Sequence, residues 1–431
     1  MKNLILVCLS VFLYNVVASQ NTYIPNNNFE QAIINLGLDT GFPNDSVPTA
    51  NIDTLTFLDI SSKLITDLTG IEDFNDLAIL KCHTNLLQNI DVSQNLSLKE
   101  LWCHHNQLTA LNINTLLEVL IASQNTLTSL NFTPNNAIRI IDVISNPLQN
   151  IDVSNNIQLE ELWCGNNQLT TLDVSNNINL KLLWCKKNQL TNLNVTANPL
   201  LENLLCESNN LTSLNTSLNP LLKGLHCRNN ALTSLNILNN PLLEQLTCDT
   251  NQLISIDLSN NIALKLFQCK SNNITQLDLS NNVNLNNFVC NSNNLTSLNI
   301  KNGNNNNFFL FGATFNPNLN CINVDNPAYA NSNWALKDSH CIFSNKCYPL
   351  SVKNNTNTDK TYFFPNPASS FITISSKIKI DEVKITDLTG KSHNTTLKNN
   401  NRIDISNLSS GIYFLEIITP NGKSIEKLVK E

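Results

Sequence analysis

Thiols are the most regularly spaced reactive side chains in the sequence. Seven cysteines recur every 21 residues over 164–290, and Cys82 and Cys103 keep the same interval. Regularly spaced thiols could ligate a metal, form disulfides or fill a packed interior. No C-x-x-C pair occurs, and Ala122 and Val143 occupy the equivalent position in two further repeats. Because alanine and valine replace the cysteine, we predict buried free thiols, no metal site and no cofactor.

Large side chains recur beside the cysteine position. Three of the four tryptophans directly precede it, and a histidine takes the same place two repeats later. Exposed aromatic rings beside charged groups are typical of protein hot spots and of sugar-binding faces. Alternatively, these rings only shield one another and nearby lysine stems. The candidate ligand-binding residues are Trp102, Trp163, Trp184, His226, Lys186 and Arg228.

Catalytic motifs do not accompany these residues. The sequence contains no G-x-S-x-G, H-E-x-x-H or phosphate-binding loop. His83 and His104 fall one repeat apart, but exposed histidines usually bind no metal. Repeated acids such as Asp152 and Asp173 alternate with asparagine in one position, as solvated repeat residues do. We predict that the protein is not an enzyme.

The repeats themselves must position the candidate residues. Each follows the pattern L-x-x-L-x-C-x-x-N-x-L-x-x-L-x-V, as at Leu98, Leu101, Cys103, Asn106 and Leu108. This pattern resembles the leucine-rich repeat, in its 21-residue bacterial form, over roughly residues 50–325. The resemblance implies a solenoid with a curved parallel β-sheet and little helix. We assign residues 51–325 to it.

Stacking of the repeats follows from how little each one can bury alone. We expect about thirteen coils, counting the divergent ends. With strands about 4.8 Å apart, they would form a solenoid about 60 Å long. Alternation along a strand would turn Leu101 and Cys103 inward and Trp102 outward. The repeated asparagine, three residues after the cysteine position, should turn inward and hydrogen-bond backbone groups that the bend leaves unpaired.

Both open ends of a solenoid need covers. Residues 20–50 form the predicted N-terminal cap, with a helix from Asn28 to Leu36 that buries Phe29, Ile33 and Leu36 and is capped by Asn28. Residues 326–348 form the predicted C-terminal cap. In similar bacterial proteins the last segment carries a C…NW…C arrangement, which implies that Cys321 pairs with Cys347 and leaves Cys341 free.

The two ends of the chain indicate export. Residues 1–19 have a basic start, an apolar run and a small residue at Ser19, as in a secretory signal peptide. Residues 349–360 are polar and predict a linker. Residues 361–431 lack the 21-residue interval and alternate as short strands, which predicts a small β-sandwich.

Four short motifs in this tail occur in a specific order. They resemble the C-terminal sorting domain of the Bacteroidetes type IX secretion system. The resemblance implies passage across the outer membrane by that machinery, followed by release or attachment to surface lipopolysaccharide. The motif residues are Pro365, Asn366 and Pro367, then Gly390, then Gly411 and Tyr413, and finally Lys427 and Lys430.

Composition agrees with an ordered protein. The 431 residues include 80 asparagines, yet 42% are hydrophobic, enough for a core. The net charge of −7 disfavours a nucleic-acid partner. We expect a mainly β protein, secreted or held at the outer cell surface, that binds another protein or mediates adhesion through the concave face of the solenoid. The alternatives are a polysaccharide-binding module that uses the tryptophans, and a structural surface protein without a ligand.

Overall fold

A computed structural model describes residues 20–133, 135–347, 362–376, 379–393, 397–398, 401–420 and 422–431. The predicted signal peptide 1–19 and the predicted linker 349–360 lie outside the described residues. The chain divides into two compact units, with the boundary between Cys347 and Tyr348. Each unit has its own apolar core.

Short strands dominate the first unit, because each coil contributes only three residues to the sheet. Its helices and strands, in chain order, are β1 (Asn21–Tyr23), α1 (Asn27–Asn35), β2 (Ser46–Pro48), β3 (Phe57–Asp59), β4 (Ile79–Lys81), β5 (Asn89–Asp91), β6 (Glu100–Trp102), β7 (Ala110–Asn112), β8 (Val119–Ile121), β9 (Ile140–Asp142), β10 (Glu161–Trp163), β11 (Leu182–Trp184), β12 (Asn203–Leu205), β13 (Gly224–His226), β14 (Gln245–Thr247), β15 (Leu266–Gln268), β16 (Gln276–Asp278), β17 (Asn287–Val289), β18 (Ser297–Asn299), β19 (Leu310–Gly312), β20 (Cys321–Asn323), α2 (Pro327–Asn333) and β21 (Ile342–Ser344).

One parallel sheet of 13 strands runs along this unit, from β3 at one edge to β19 at the other. Its strands pair in register, so that equivalent residues of successive coils lie side by side, as Trp163 and Trp184 do. Return segments carry few strands: β5 pairs with β7, and β16, β18, β20 and β21 form a second sheet. The predicted solenoid of short parallel strands with little helix is confirmed.

The inward columns form one continuous core. Leu101 and Cys103 are fully buried whereas Trp102 is half-buried, which confirms the predicted alternation. All nine repeat cysteines are free and fully buried, and Ala122 and Val143 are buried in the same column. The thiols are therefore packing groups in the interior.

The repeated asparagines hydrogen-bond the backbone as predicted. Asn188 Oδ1 accepts a hydrogen bond from Leu169 N at 3.0 Å, and its Nδ2 donates to Cys164 O and Cys185 O at 3.0 Å each. A second column on the return side works similarly: Asn177 Nδ2 donates to Val153 O at 3.0 Å and to Asn156 O at 2.9 Å. These amides join consecutive coils at both bends.

In successive coils, the residue directly before the asparagine that follows the cysteine position has a left-handed backbone conformation. Lys187, for example, has φ of 54°, and the equivalent residues of neighbouring coils have similar values. A non-glycine residue in this region costs about 1 kcal/mol or more. The hydrogen bonds of the adjacent buried asparagine offset that cost, so the bend does not require glycine.

The N-terminal cap differs in detail from the prediction. Helix α1 begins at Asn27 and its N-cap is Asn26, whose side chain accepts a hydrogen bond from Phe29 N, so the predicted cap at Asn28 is wrong. Leu36 follows the helix and is 52% exposed, so its predicted burial is also wrong. Phe29 and Ile33 are fully buried as expected. Asn28 lies inside the helix, whereas Asn26 has the extended backbone of an N-cap, so its side chain reaches an unpaired N–H group of the first turn.

Aromatic packing closes the other end of the solenoid. The Trp334 ring stacks on that of Phe311 with centroids 4.6 Å apart, and the Phe343 ring lies edge-on to it at 5.6 Å. Cys321 and Cys347 are joined by a disulfide with their Cα atoms 5.7 Å apart, and Cys341 is a buried free thiol.

The tail folds as two antiparallel sheets around a small core. Their orders are β22-β23-β27-β26 and β25-β24-β28-β29, and the core takes residues from both, including Ile372 and Leu415. This arrangement agrees with the predicted β-sandwich. The strands are β22 (Tyr362–Phe364), β23 (Phe371–Ser375), β24 (Glu382–Asp387), β25 (Ser392–His393), β26 (Leu397–Lys398), β27 (Arg402–Asp404), β28 (Gly411–Thr419) and β29 (Gly422–Lys430).

Candidate functional site

The outward surface of the 13-stranded sheet, here called the strand face, holds the candidate ligand-binding residues. Two tryptophans form a pair on it, because β10 and β11 place them opposite each other. The ring centroids of Trp163 and Trp184 lie 4.7 Å apart with an interplanar angle of 34°. The Lys186 ammonium lies 4.2 Å from the Trp184 ring centroid. Sequence reasoning thus brought these three residues together correctly.

Neighbouring groups hold the two rings in place. Trp163 Nε1 donates a hydrogen bond to Glu161 Oε2 at 3.0 Å. Trp184 has Leu182 in the place of that glutamate, and its buried Nε1 has no acceptor among the described residues. The Trp184 ring lies against Gly165, where a Cβ would stand 3.0 Å from its Cδ1. The sequence analysis did not identify Gly165 as the residue that makes room for the Trp184 ring. The signal was that glycine takes a position, directly after the cysteine, where the next five coils carry charged side chains.

Trp102 does not join this pair. It lies on β6, and β8 and β9 separate that strand from β10, so Trp102 is three strands, or about 14 Å, from Trp163. Its Nε1 donates to Glu100 Oε2 at 3.3 Å, and the Lys81 ammonium lies 5.0 Å from its ring centroid. The three tryptophans therefore form two separate aromatic sites on the strand face.

His226 lies two strands beyond the tryptophan pair, on β13. Its Nδ1 is 3.0 Å from Thr247 Oγ1. Burial lowers the pKa of His226, with Glu207 opposing this and Arg228 and Lys186 adding to it. The imidazole is therefore neutral at physiological pH and takes part as a hydrogen-bonding group.

Two carboxylates lie buried next to Arg228. Glu207 is 7% exposed, and its Oε1 lies 3.7 Å from Arg228 Nε. Asp249 is 5% exposed, burial raises its pKa, and its Oδ1 accepts a hydrogen bond from Lys270 N at 2.7 Å. Both acids are thus buried, whereas Arg228 and Lys270 are exposed.

A row of alternating charges precedes the strands, and sequence reasoning missed it. Each member lies one coil from an opposite charge, as in the pairs of Glu160 with Arg139 at 2.9 Å and with Lys181 at 2.7 Å. The signal was present, because the signs alternate at nearly constant intervals. We call this row the paired flank; its members are Lys99, Glu118, Arg139, Glu160, Lys181, Glu202, Lys223, Glu244 and Lys265.

The neighbouring histidines stack. The rings of His83 and His104 lie 4.3 Å apart with an interplanar angle of 14°. Burial, followed by the charges of His83 and His105, lowers the pKa of His104 to about 4. Within the described part of the chain, no group of three or more His, Cys, Asp or Glu residues could hold a metal ion.

The sorting motifs of the tail converge on its last strand. Asn366 Nδ2 donates to Lys427 O at 2.7 Å, and Asn366 Oδ1 accepts from Val429 N at 2.8 Å. Gly411 pairs with Lys430 at the opposite side of that strand. The Asn366 amide thus pairs with β29 as a short strand would, a contact that sequence reasoning did not foresee.

The remaining motif residues have local roles. Tyr413 Oη donates to Ser409 O at 2.9 Å, and Gly390 has φ of 85° in the turn after β24. Pro365 and Pro367 flank Asn366 at the surface.

Comparison with known proteins identifies the tail and the fold. Residues 362–431 match the family described as secretion system C-terminal sorting domain. This domain indicates export by the type IX system to the cell surface or the extracellular space. No curated protein matches the sequence. No helix among the described residues is long and apolar enough to cross a membrane.

Solved structures resemble the solenoid. The functional domain of InlJ from Listeria monocytogenes, described as including a cysteine ladder, is 23% identical with a TM-score of 0.63, covering 96% of this chain and 99% of its own. An internalin (InlF) of the same species is 18% identical with a TM-score of 0.54, covering 65% and 94%. A leucine-rich-repeat protein of Leptospira interrogans is 20% identical with a TM-score of 0.52, covering 64% and 74%. The fold is that of a leucine-rich-repeat solenoid.

Proposed function

We propose that this exported solenoid binds another extracellular protein through its strand face and acts by binding, not by catalysis. The observation that carries the proposal is the pair formed by Trp163 and Trp184, which are half-buried and adjacent on successive strands. Tryptophan is enriched among the residues that dominate binding energy at protein interfaces.

The pair is already ordered before any partner binds. The hydrogen bond to Glu161 holds the Trp163 ring, and the Trp184 ring packs between Trp163 and Lys186 in the space that Gly165 leaves open. Immobilising a side chain on binding costs about 0.5–1.5 kcal/mol, so rings that are already fixed lose little. The regular sheet beneath them adds a rigid support.

A polysaccharide is the second candidate ligand, and the same ring pair favours it. Sugars bind to open aromatic faces, and two rings one coil apart could contact adjacent residues of a glycan. In this protein the Lys186 ammonium covers the Trp184 ring and Trp163 lies against it. Coverage by these side chains supports a protein partner over a stacked sugar.

The reactive groups support binding more than catalysis. The thiols of the repeats are fully buried. Asp249 hydrogen-bonds the backbone of the next coil, and Glu207 lies beside Arg228. These contacts account for the two acids as structural groups of the strand face.

Photo-crosslinking tests the proposal. A photoreactive amino acid would replace Leu205, which is half-buried on the strand face one strand from Trp184, in the secreted full chain. We expect specific crosslinks to an extracellular protein, and at least a 10-fold loss of them when Trp163→Ala and Trp184→Ala are added. Polysaccharide fractions would be screened in parallel for binding that depends on the same residues.

A matched control lies on the return side. Ile157 and Ile178 are also apolar, exposed and one coil apart, so Ile157→Ala with Ile178→Ala removes similar apolar surface away from the strand face. Crosslinking should survive that change. Equal loss in both double variants, or tryptophan-dependent binding of a glycan without any protein crosslink, contradicts the proposal.

A further inference from the structure

We infer that the edge of the strand face next to the tryptophan pair docks an acidic segment of the partner protein. This inference rests on the proposed function and specifies the chemistry of its partner. The residues that carry it directly follow the cysteine column, and we call them the basic flank: Lys186, Lys187, Arg228 and Lys270.

Exposure separates the two signs of charge on this flank. Lys187, Arg228 and Lys270 are exposed and Lys186 is half-buried, whereas the acids Glu207 and Asp249, which take the same repeat position in the intervening coils, are buried. The six residues that follow each cysteine position between 185 and 269 contain no other acid. An approaching partner therefore meets positive charge, although the chain carries a net charge of −7.

The paired flank, on the other side of the strands, provides a comparison for the cations of the basic flank. There, Lys181, Lys223 and Lys265 each lie 2.7–2.8 Å from a glutamate of the preceding coil. On the basic flank, Arg228 Nε lies 3.7 Å from Glu207 Oε1, but no carboxylate of the described residues lies within 4 Å of the Lys186 or Lys270 ammonium. These lysines of the paired flank are neutralised by glutamates of their own chain, whereas the four cations of the basic flank outnumber the acids Glu207 and Asp249 by two, which leaves positive charge for a partner.

Dimensions limit what can bind. Lys186 and Lys270 are four coils apart, which at about 4.8 Å per coil is about 19 Å. An extended segment of about six residues spans that distance at about 3.3 Å per residue. The tryptophan pair lies at one end of the flank, where Lys186 contacts Trp184. The complementary segment is therefore acidic over about six residues, with apolar side chains at one end.

A synthetic probe tests this chemistry directly. The probe is a fluorescent eight-residue peptide of two phenylalanines followed by six glutamates, and its control has glutamine in place of glutamate. Fluorescence anisotropy with the secreted full chain should show binding of the acidic peptide alone. The affinity should fall steeply between 50 and 300 mM NaCl, because salt screens exposed charges.

Variants on the two flanks make the test specific. Lys186→Gln, Arg228→Gln and Lys270→Gln combined should weaken peptide binding at least 10-fold. Circular dichroism and a thermal melt would verify that this variant folds. A second variant gives a gain in place of a loss: Glu207→Gln removes a buried negative charge beside Arg228 and should strengthen binding about twofold to threefold.

The matched control uses the paired flank. Lys181→Gln, Lys223→Gln and Lys265→Gln remove the same number of positive charges, and should change peptide affinity less than twofold. An equal loss in both triple variants would show that overall charge, and not the basic flank, attracts the peptide. That result overturns the inference.

Two further outcomes also overturn it. One is the absence of peptide binding while tryptophan-dependent crosslinking to a protein persists, which leaves the proposed function intact and removes only the acidic partner. The other is binding of polygalacturonate through the same three cations with no binding of the peptide, which would make the flank a site for acidic glycans. Peptide binding without any protein crosslink would support the acidic chemistry of the ligand and contradict the proposed function.

Discussion

Inward and outward side chains of the same sheet repeat at the same interval but differ in what they tolerate. The inward column holds cysteine in nine coils and otherwise accepts residues as small as Ala122 and Val143. The outward position one residue earlier accepts Trp163, Leu205 and His226 alike. Burial restricts the inward side chains to small apolar groups, and these groups hold the coils together. The outward side chains do not contribute to that core, so they can vary and could contact a ligand.

The largest expected difference between the two surfaces is in chemical reactivity. Burial raises the pKa of Cys164 and of Cys227 to about 12. Since the thiolate is the reactive form, these two native cysteines should react with a thiol reagent at pH 8 about 1,000-fold more slowly than unfolded ones. Unfolding without reduction should release ten reactive thiols, the nine of the repeats and Cys341.

Reduction should raise that number to twelve, because Cys321 and Cys347 are joined and Cys8 lies in the predicted signal peptide, which the mature protein would lack. Rapid labelling of the native protein would contradict the closed interior. Fewer than nine thiols in the unfolded, unreduced protein would indicate disulfides between coils.

Among single substitutions, we expect the largest loss of folding stability in the asparagine column that lies three residues after the cysteine position. Asn188→Ala removes an acceptor for Leu169 N and donors for Cys164 O and Cys185 O, which water cannot replace in the interior. A buried unpaired polar group costs about 1–3 kcal/mol, so we expect a loss of about 3 kcal/mol in the free energy of unfolding, measured with urea.

Asn176→Ala is the matched control, since Asn176 is exposed and donates only to Ser154 O. Its effect should stay below about 0.5 kcal/mol. Similar losses for Asn176→Ala and Asn188→Ala would show that the buried column does not stabilise the stack more than surface asparagines do.

Polarity should matter more than volume in the cysteine column. Cys206→Ser places a hydroxyl among fully buried apolar groups and should lower the free energy of unfolding by about 2 kcal/mol. Cys206→Ala should cost about half as much, because Ala122 already occupies the equivalent position. Urea unfolding of both variants measures the difference, and equal losses would mean that the sulfur itself stabilises the coil.

Periodicity made the inner columns predictable, whereas contacts between distant segments were not. The 21-residue interval by itself places Leu101 and Cys103 inside and Trp102 outside, as the structure has them. The Asn366 clamp on Val429 joins residues 63 positions apart, and no local pattern carries that information.

Register explains the remaining differences. The separation of Trp102 from Trp163 follows from counting strands, but the support of Trp184 by Gly165 depends on which way a ring leans. The paired flank was readable in principle, since its signs alternate. Its charges can be assigned as ion pairs only once the strands are known to pair in register, which places Glu160 beside Lys181.

The smallest expected effect is on this exposed flank. Glu160→Gln removes the partner of Arg139 and Lys181. Exposed ion pairs contribute about 0.2–1 kcal/mol each, so the free energy of unfolding should fall by about 0.5 kcal/mol at low salt and by less in 0.5 M NaCl. Urea unfolding at both salt concentrations checks this.

The pH dependence has a definite sign. Hydrogen bonds from Lys181 and Arg139 lower the pKa of Glu160 below its usual value of 4.5, so the folded state binds this proton less readily than the unfolded state. The stabilisation is therefore complete above the unfolded pKa and is lost as the pH falls through the folded one. The difference between wild type and Glu160→Gln should accordingly shrink between pH 6 and pH 3. A loss as large as that of Asn188→Ala, or one insensitive to both salt and pH, would mean that outward charges hold the coils together as strongly as the buried amides do.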